Sequence, residues 1–319
     1  MKENLIGSKL SYFHDIPDSK NWVELLRISD EDPRAHQYSA RSKDGKQYYV
    51  RLDEPTRYDR IKGEFEHLRT AYETGVPVPS PKSFGLCDNG RRLYLLTDWI
   101  GGRSGEQILD CFDACSQYEL GVSAGLYIKM IHSVKAPDHF VKAWWAGQSK
   151  RWQKIRQDYQ RCQLSIPHDH QLFEMIDENL HLLRNRPQRL LHGAFHIGNI
   201  MLTQEGNLKL INFHRWLYGD PLYDLSAVIS TTGQRYKAFV AGVLDCYFTY
   251  LADAPSLRLL NIYTGLALVE QAVDATNSVP ERDQPGHGPF GGGKGQSHGF
   301  GRACQAEPLP VPEKENDSP

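Results

Sequence analysis

The chain has six cysteines (Cys87, Cys111, Cys115, Cys162, Cys246, Cys304) but no CxxC pair, which argues against a zinc site and against a dense disulfide framework. Reduced thiols are the default, although the four-residue spacing of Cys111 and Cys115 would let them share a helix face. No apolar run approaches the roughly 20 residues that a membrane-crossing helix needs. Charges interrupt the apolar residues of MKENLIGSKLSYFHDIP too early for a signal peptide, so a cytoplasmic location and no membrane partner are expected. A net charge of −2 at pH 7, with a pI near 6.7, supplies no global attraction to nucleic acid. No internal repeat of fixed period is present.

The 319 residues, 40% of them hydrophobic, suffice for two domains or one two-lobed unit. Residues 1–100 read as β-rich. QYYVRL (47–52) and RLYLLTDWI (92–100) carry aromatic and branched residues, and between them DRIKGEFEHLRTAYETG has helical spacing through Ile61, Phe65, Leu68 and Tyr72, stopped by Gly75. VPVPSP cannot continue a helix. After GGRSG (101–105) the pattern turns helical. Ser116 and Glu119 have capping-box spacing ahead of a stripe formed by Leu120, Ala124, Tyr127, Ile128 and Ile131. HQLFEMIDENLHLL (170–183) repeats the pattern through Leu172, Phe173, Ile176, Leu180 and Leu183.

Within this helical part IMLT and LKLINF flank QEGN and predict a hairpin around Gly206. GDPLYDLSAVI then predicts a helix with Asp220 as N-cap and Pro221 as its first residue. From residue 278 onward glycine, proline and polar residues dominate, and a disordered tail over 278–319 is expected.

The functional signal lies in residues 190–225. His192-Gly193-Ala194-Phe195-His196-Ile197-Gly198-Asn199 resembles the H-G-D-x-H-x-x-N loop of the aminoglycoside phosphotransferase and choline kinase-like family. Ile211-Asn212-Phe213 resembles its I-D-F metal motif, and Tyr218 to Leu225 its G-D-P-x-x-D-L segment. The likeness extends over roughly residues 35–275. It implies an α+β, two-lobed protein kinase-like fold, with a small β-rich nucleotide-binding lobe (1–100) and a larger, mainly helical catalytic and substrate lobe (101–277). It also implies ATP and Mg2+ as cofactors and a hydroxyl of an aminoglycoside-like small molecule as acceptor, which would make antibiotic resistance the biological setting.

Where residues match, the family's roles carry over. His192, Ala194, His196 and Asn199 mark the catalytic loop, with Asn199 at the position of a magnesium ligand. Arg51 stands at the place of the third-strand lysine that touches the phosphates, and Glu64 is its helix partner. Asp98, Trp99 and Ile100 resemble the hinge whose main chain pairs with adenine. No glycine-rich run precedes QYYVRL, so RAHQYSARSKDGKQ has to supply the nucleotide loop.

Two departures bear on mechanism. Ala194 stands where the family has its catalytic aspartate, and a methyl group accepts no proton; such a loss costs about 100- to 10,000-fold. Asn212 replaces the metal-binding aspartate, keeping an oxygen but not the negative charge that a hard dication prefers. His196 and His214 have the chemistry of bases, yet a scaffold role is expected of both, and Asp224 is expected to brace the loop. The sequence thus reads as an ATP-dependent small-molecule kinase with impaired transfer, the alternative being a non-catalytic pseudokinase that binds nucleotide or a small molecule. In KAWWAGQSKRWQKIRQDYQR (142–161), Trp144, Trp145 and Trp152 interleave with Lys142, Lys150, Arg151, Lys154 and Arg156. A helix with an aromatic inner face and a basic outer face is expected there rather than a nucleic-acid surface.

Overall fold

Alternating burial along the N-terminal strands determines what each face of the sheet carries. The computed structural model describes residues 10–29, 35–141, 144–162, 165–249 and 253–277, and the expected tail over 278–319 lies outside them. Five strands, β1 (Trp22–Ser29), β2 (His36–Ser42), β3 (Gln47–Asp53), β4 (Pro81–Cys87) and β5 (Arg92–Asp98), form an antiparallel sheet in the order β1-β2-β3-β5-β4. Tyr48, Val50, Leu52, Tyr94 and Leu96 pack on one face with Phe13, Trp22 and Leu25. Because side chains alternate, Tyr49, Arg51 and Asp53 belong to the other face, as do Leu93 and Leu95, which cluster with Ile61 of helix α1 (Tyr58–Glu73). β3, α1 and β5 occur in the order expected from the residue pattern. RAHQYSARSKDGKQ is not a nucleotide loop, since most of it is β2 and the turn into β3; the connection preceding β2 is the one that joins it to β1.

The C-terminal part is built from β6 (Arg103–Ser104), the single turn α2 (Gly105–Ile108), α3 (Ala114–Ile131), α4 (Trp144–Arg161), α5 (Asp169–Asn179), β7 (Arg189–Leu191), β8 (Ile200–Leu202), β9 (Leu208–Leu210), β10 (Leu217–Gly219), α6 (Leu222–Thr232), α7 (Lys237–Phe248) and α8 (Ala254–Asn277). A single apolar cluster unites these helices and includes Ala124, Ile128, Ile131, Ile176, Leu183, Leu225, Val228, Phe239 and Leu266. The expected hairpin is β8–β9, with Thr203 N–H donating to Asn207 O and Gly206 at φ +80°.

Three local expectations shift. Helix α3 starts at Ala114 and its cap is Asp113, which accepts from Ser116 N–H at 2.7 Å; a carboxylate three residues earlier outcompetes the Ser116 hydroxyl for the first turn. Cys111 ends a 3-10 turn and Cys115 lies in α3 across that cap, so they do not share a helix. Helix α6 begins at Leu222 with Pro221 at its cap, one residue later than expected. Asp220 still accepts from Leu222 N–H at 3.2 Å, but the carboxylate is pulled toward Arg186 Nε at 2.6 Å and Tyr263 Oη at 3.1 Å.

Helix α4 turns its tryptophans inward: Trp152 is buried and donates to Asp177 at 2.6 Å, and Trp144 donates to Tyr263 Oη at 2.8 Å, while Lys150 and Lys154 face solvent. Among the described residues no helix is long and apolar enough to cross a membrane.

Candidate functional site

A cleft of about 270 Å3 lies between the sheet and the helical part. Its walls come from Tyr49 and Arg51 of β3, Glu64 and Leu68 of α1, Thr97 and the Asp98–Ile100 connection, Met201 of β8, and Ile211 to Phe213 after β9. Arg51, Glu64, Asp98, Trp99, Ile100 and Asn212, scattered over more than 160 positions of the sequence, therefore face one space.

Arg51 is buried and its guanidinium is held on two sides. Both terminal nitrogens donate to the Glu64 carboxylate, at 2.9 and 2.7 Å, and Nε donates to Asp53 at 2.8 Å. Burial alone would lower the Arg51 pKa, but the charges of Glu64 and Asp53 outweigh it and the net shift is upward. Asp53 also takes Arg57. Sequence reasoning missed Asp53, although its position two residues beyond Arg51 on a strand places both on the same face.

In the Asp98–Ile100 connection, Asp98 N–H donates to Ser80 O and Trp99 N–H to Gln47 O, each at 3.0 Å. Asp98 O accepts from Thr97 Oγ1 at 3.1 Å; among the described residues the Ile100 N–H has no such backbone partner, which leaves it for a ligand.

The loop after β7 is fixed from below. Asp224 of α6 is fully buried and accepts from the backbone N–H of His192 at 2.7 Å and of Gly193 at 2.9 Å. Its Oδ2 also lies 3.1 Å from His132 Nε2, whose other ring nitrogen meets Tyr247 Oη at 2.9 Å. Gly193 sits at φ +78°, and a Cβ there would fall 1.9 Å from Arg215 O, so no other residue fits this turn. His192 donates from Nε2 to Ile211 O at 2.9 Å, joining the loop to β9, and its Nδ1 accepts from Ala194 N–H at 3.3 Å. Burial pushes its pKa down to about 4, so the ring is neutral.

Ala194 O accepts from Asn199 Nδ2 at 2.8 Å, and Asn199 Oδ1 in turn accepts from Asn212 Nδ2 at 2.7 Å. Thus Ala194, Asn199 and Asn212 form one chain of contacts, but only Asn212 reaches the cleft wall. Asn212 adopts the left-handed conformation at φ 65°, which asparagine tolerates better than most residues. His196 caps the turn after it, accepting from Gly198 N–H at 3.2 Å, with its Nε2 3.0 Å from Asn199 Nδ2. Burial lowers the pKa of both His196 and His214.

These donors do not suit magnesium. A hard dication prefers charged oxygen ligands, whereas the two residues at the expected position are carboxamides hydrogen-bonded to each other. Among the described residues no three His, Cys, Asp or Glu side chains converge in a metal-binding group.

A second feature invisible in the sequence ties α1 to the segment after β9. Trp216 stacks on His67 with ring centroids 3.9 Å apart and planes at 16°, and it lies so close over Gly63 that a Cβ there would be 2.2 Å from the indole. Trp216 Nε1 donates to Arg60 O at 3.3 Å, Arg60 donates back to His214 O at 2.6 Å, and His67 Nε2 meets Tyr218 Oη at 2.9 Å.

The model of the phosphotransferase enzyme family (APH) matches residues 30–260. No curated protein matches the chain. Among solved structures, an amicoumacin kinase in complex with AMP-PNP, Ca2+ and its antibiotic is 17% identical, with 82% of this chain and 83% of that one aligned at a TM-score of 0.60. The ADP-bound aminoglycoside phosphotransferase APH(2'')-Ib is 17% identical over 84% and 90%, with a TM-score of 0.59. Spectinomycin phosphotransferase with ADP and spectinomycin is 15% identical over 82% and 84%, with a TM-score of 0.56. At these identities the likeness is one of fold, and it is the two-lobed α+β fold expected from the sequence.

Proposed function

Because the chain belongs to the phosphotransferase enzyme family, we propose that its cleft is laid out for ATP-dependent phosphoryl transfer to a hydroxyl of a small molecule, and that transfer is severely impaired in this chain. Residues 1–100 serve as the nucleotide lobe and 101–277 as the acceptor lobe. Ile100 N–H and the Asp98 and Trp99 carbonyls take the base, and the Arg51–Glu64 pair lies toward the phosphates. The solved relatives that hold aminoglycosides or related antibiotics with a nucleotide suggest an aminoglycoside-like acceptor.

The observation that carries the impairment is the geometry around Ala194. Little covalent work falls to the protein in phosphoryl transfer, and a carboxylate that orients the attacking hydroxyl is one of its few obligatory parts. At position 194 there is a methyl group, and nearby ionisable groups are committed elsewhere. His192 is neutral and holds Ile211 O, His196 caps its own turn, and Asp224 accepts from two backbone amides and faces His132. None of them is free to replace the missing base.

A non-catalytic, ligand-binding role is the second reading. It is favoured by the amide pair between Asn199 and Asn212, which closes the metal position while leaving the cleft formed. Transfer of labelled phosphate from ATP to a panel of antibiotics and metabolites tests the first reading. The double variant Ala194→Asp/Asn212→Asp is expected to exceed the parent chain by about 100-fold or more. If the double variant transfers nothing across the panel, the phosphotransferase reading of the cleft is wrong.

A further inference from the structure

The cleft is furnished for the uncharged half of a nucleotide and not for the charged half. Among the described residues that line it, Arg51 is the single cation, against two carboxylates, Glu64 and Asp98. The charge of Arg51 is already matched, since Nε donates to Asp53 and each terminal nitrogen donates to Glu64. Lys82, which lies 2.9 Å from Asp98, neutralises that carboxylate and is itself engaged by it. At the other wall Asn212 brings a neutral amide whose Nδ2 donates to Asn199 Oδ1. This pair offers neither the negative charge that would hold a dication nor a positive charge for a triphosphate.

The base-binding half is intact by comparison. Leu68, Leu95 and Met201 give apolar walls, and the Ile100 N–H stands ready at their edge.

We infer that this cleft holds the nucleoside part of an adenine nucleotide without a divalent cation, so that the phosphates add nothing to affinity. The inference rests on the nucleotide reading of the cleft proposed above. A neutral amide pair, and a lining whose few charges are already matched by Arg51–Glu64 and Lys82–Asp98, leave the site indifferent to magnesium and without a positive charge to spare for a triphosphate.

Calorimetric titration of the full chain with adenosine, ADP and ATP, each in millimolar MgCl2 and again in EDTA, tests it. The three dissociation constants are expected to lie within about fivefold of one another, and magnesium to change none of them by more than about twofold. Asn212→Asp is expected to acquire magnesium-dependent tightening for ATP with adenosine affinity unchanged. Met201→Trp, which fills the cleft from a half-buried strand position, is expected to lose adenosine while keeping the parent's circular dichroism. An ATP dissociation constant that falls about tenfold or more when magnesium is added to the parent chain overturns the inference and leaves the nucleotide reading standing. Failure of all three ligands to bind either the parent or Asn212→Asp overturns both.

Discussion

Removing the Glu64 carboxylate should be the most damaging single change that can be made in the cleft. In Glu64→Ala the two terminal nitrogens of Arg51 lose partners at 2.9 and 2.7 Å while the guanidinium stays buried under β3 and α1. Asp53 keeps Nε, but it is shared with Arg57 and cannot reach both freed nitrogens in the same geometry. Breaking a buried pair from one side leaves an uncompensated charge and costs about 3–5 kcal/mol, which for a unit of this size corresponds to a drop in melting temperature of about 10 °C. The double variant Arg51→Met/Glu64→Leu removes both charges and keeps apolar volume, so it should recover most of that loss. Thermal melts and urea titrations of the two variants give the comparison. A Glu64→Ala cost below about 1 kcal/mol would show that water reaches the guanidinium and that the pair acts as a surface ion pair.

Acidification should destabilise the chain through His192. Its folded pKa of about 4 lies below the ordinary 6.5, so the neutral ring contributes stability that is fully present above pH 6.5 and is lost as pH falls toward 4, by about 3 kcal/mol; urea midpoints measured across that interval should fall, and His192→Gln should flatten the slope. Gly63→Ala places a methyl against the Trp216 indole and should cost about 1–3 kcal/mol by overpacking, seen as an earlier melt together with a red-shifted tryptophan emission; unchanged melting would mean that the indole moves aside freely.

How much the sequence disclosed depended on the range of the interaction. The pairing of Arg51 with Glu64 was implied by the resemblance to the kinase-like family, and the two side chains do meet in the structure. The β8–β9 hairpin was legible because Gly206 and its neighbours define a turn locally. Asp53 was within reach, being on the same strand face as Arg51, but nothing in the local pattern marked it as a third member. Helix α3 starts earlier than expected because Asp113 and Ser116 are both good caps, and Asp113, by accepting from Ser116 N–H, draws Ser116 into the first turn. Strands β1, β2 and β4 draw their pairing from partners across the sheet, and the stack of His67 on Trp216 joins residues 149 apart in sequence. The mutual hydrogen bond of Asn199 and Asn212 was equally hidden, since each amide taken alone reads as a degraded metal ligand.

The stack of Trp216 on His67 also sets a tempo. With helix α1 fastened to the strip that follows β9, the two halves cannot swing apart without separating those rings, at a cost of about 1 kcal/mol. That toll falls equally on arrival and departure. A guest in the cleft should therefore exchange about fivefold more slowly than its equilibrium grip alone would dictate, and loosening the fastening should quicken both directions while the dissociation constant stays where it was.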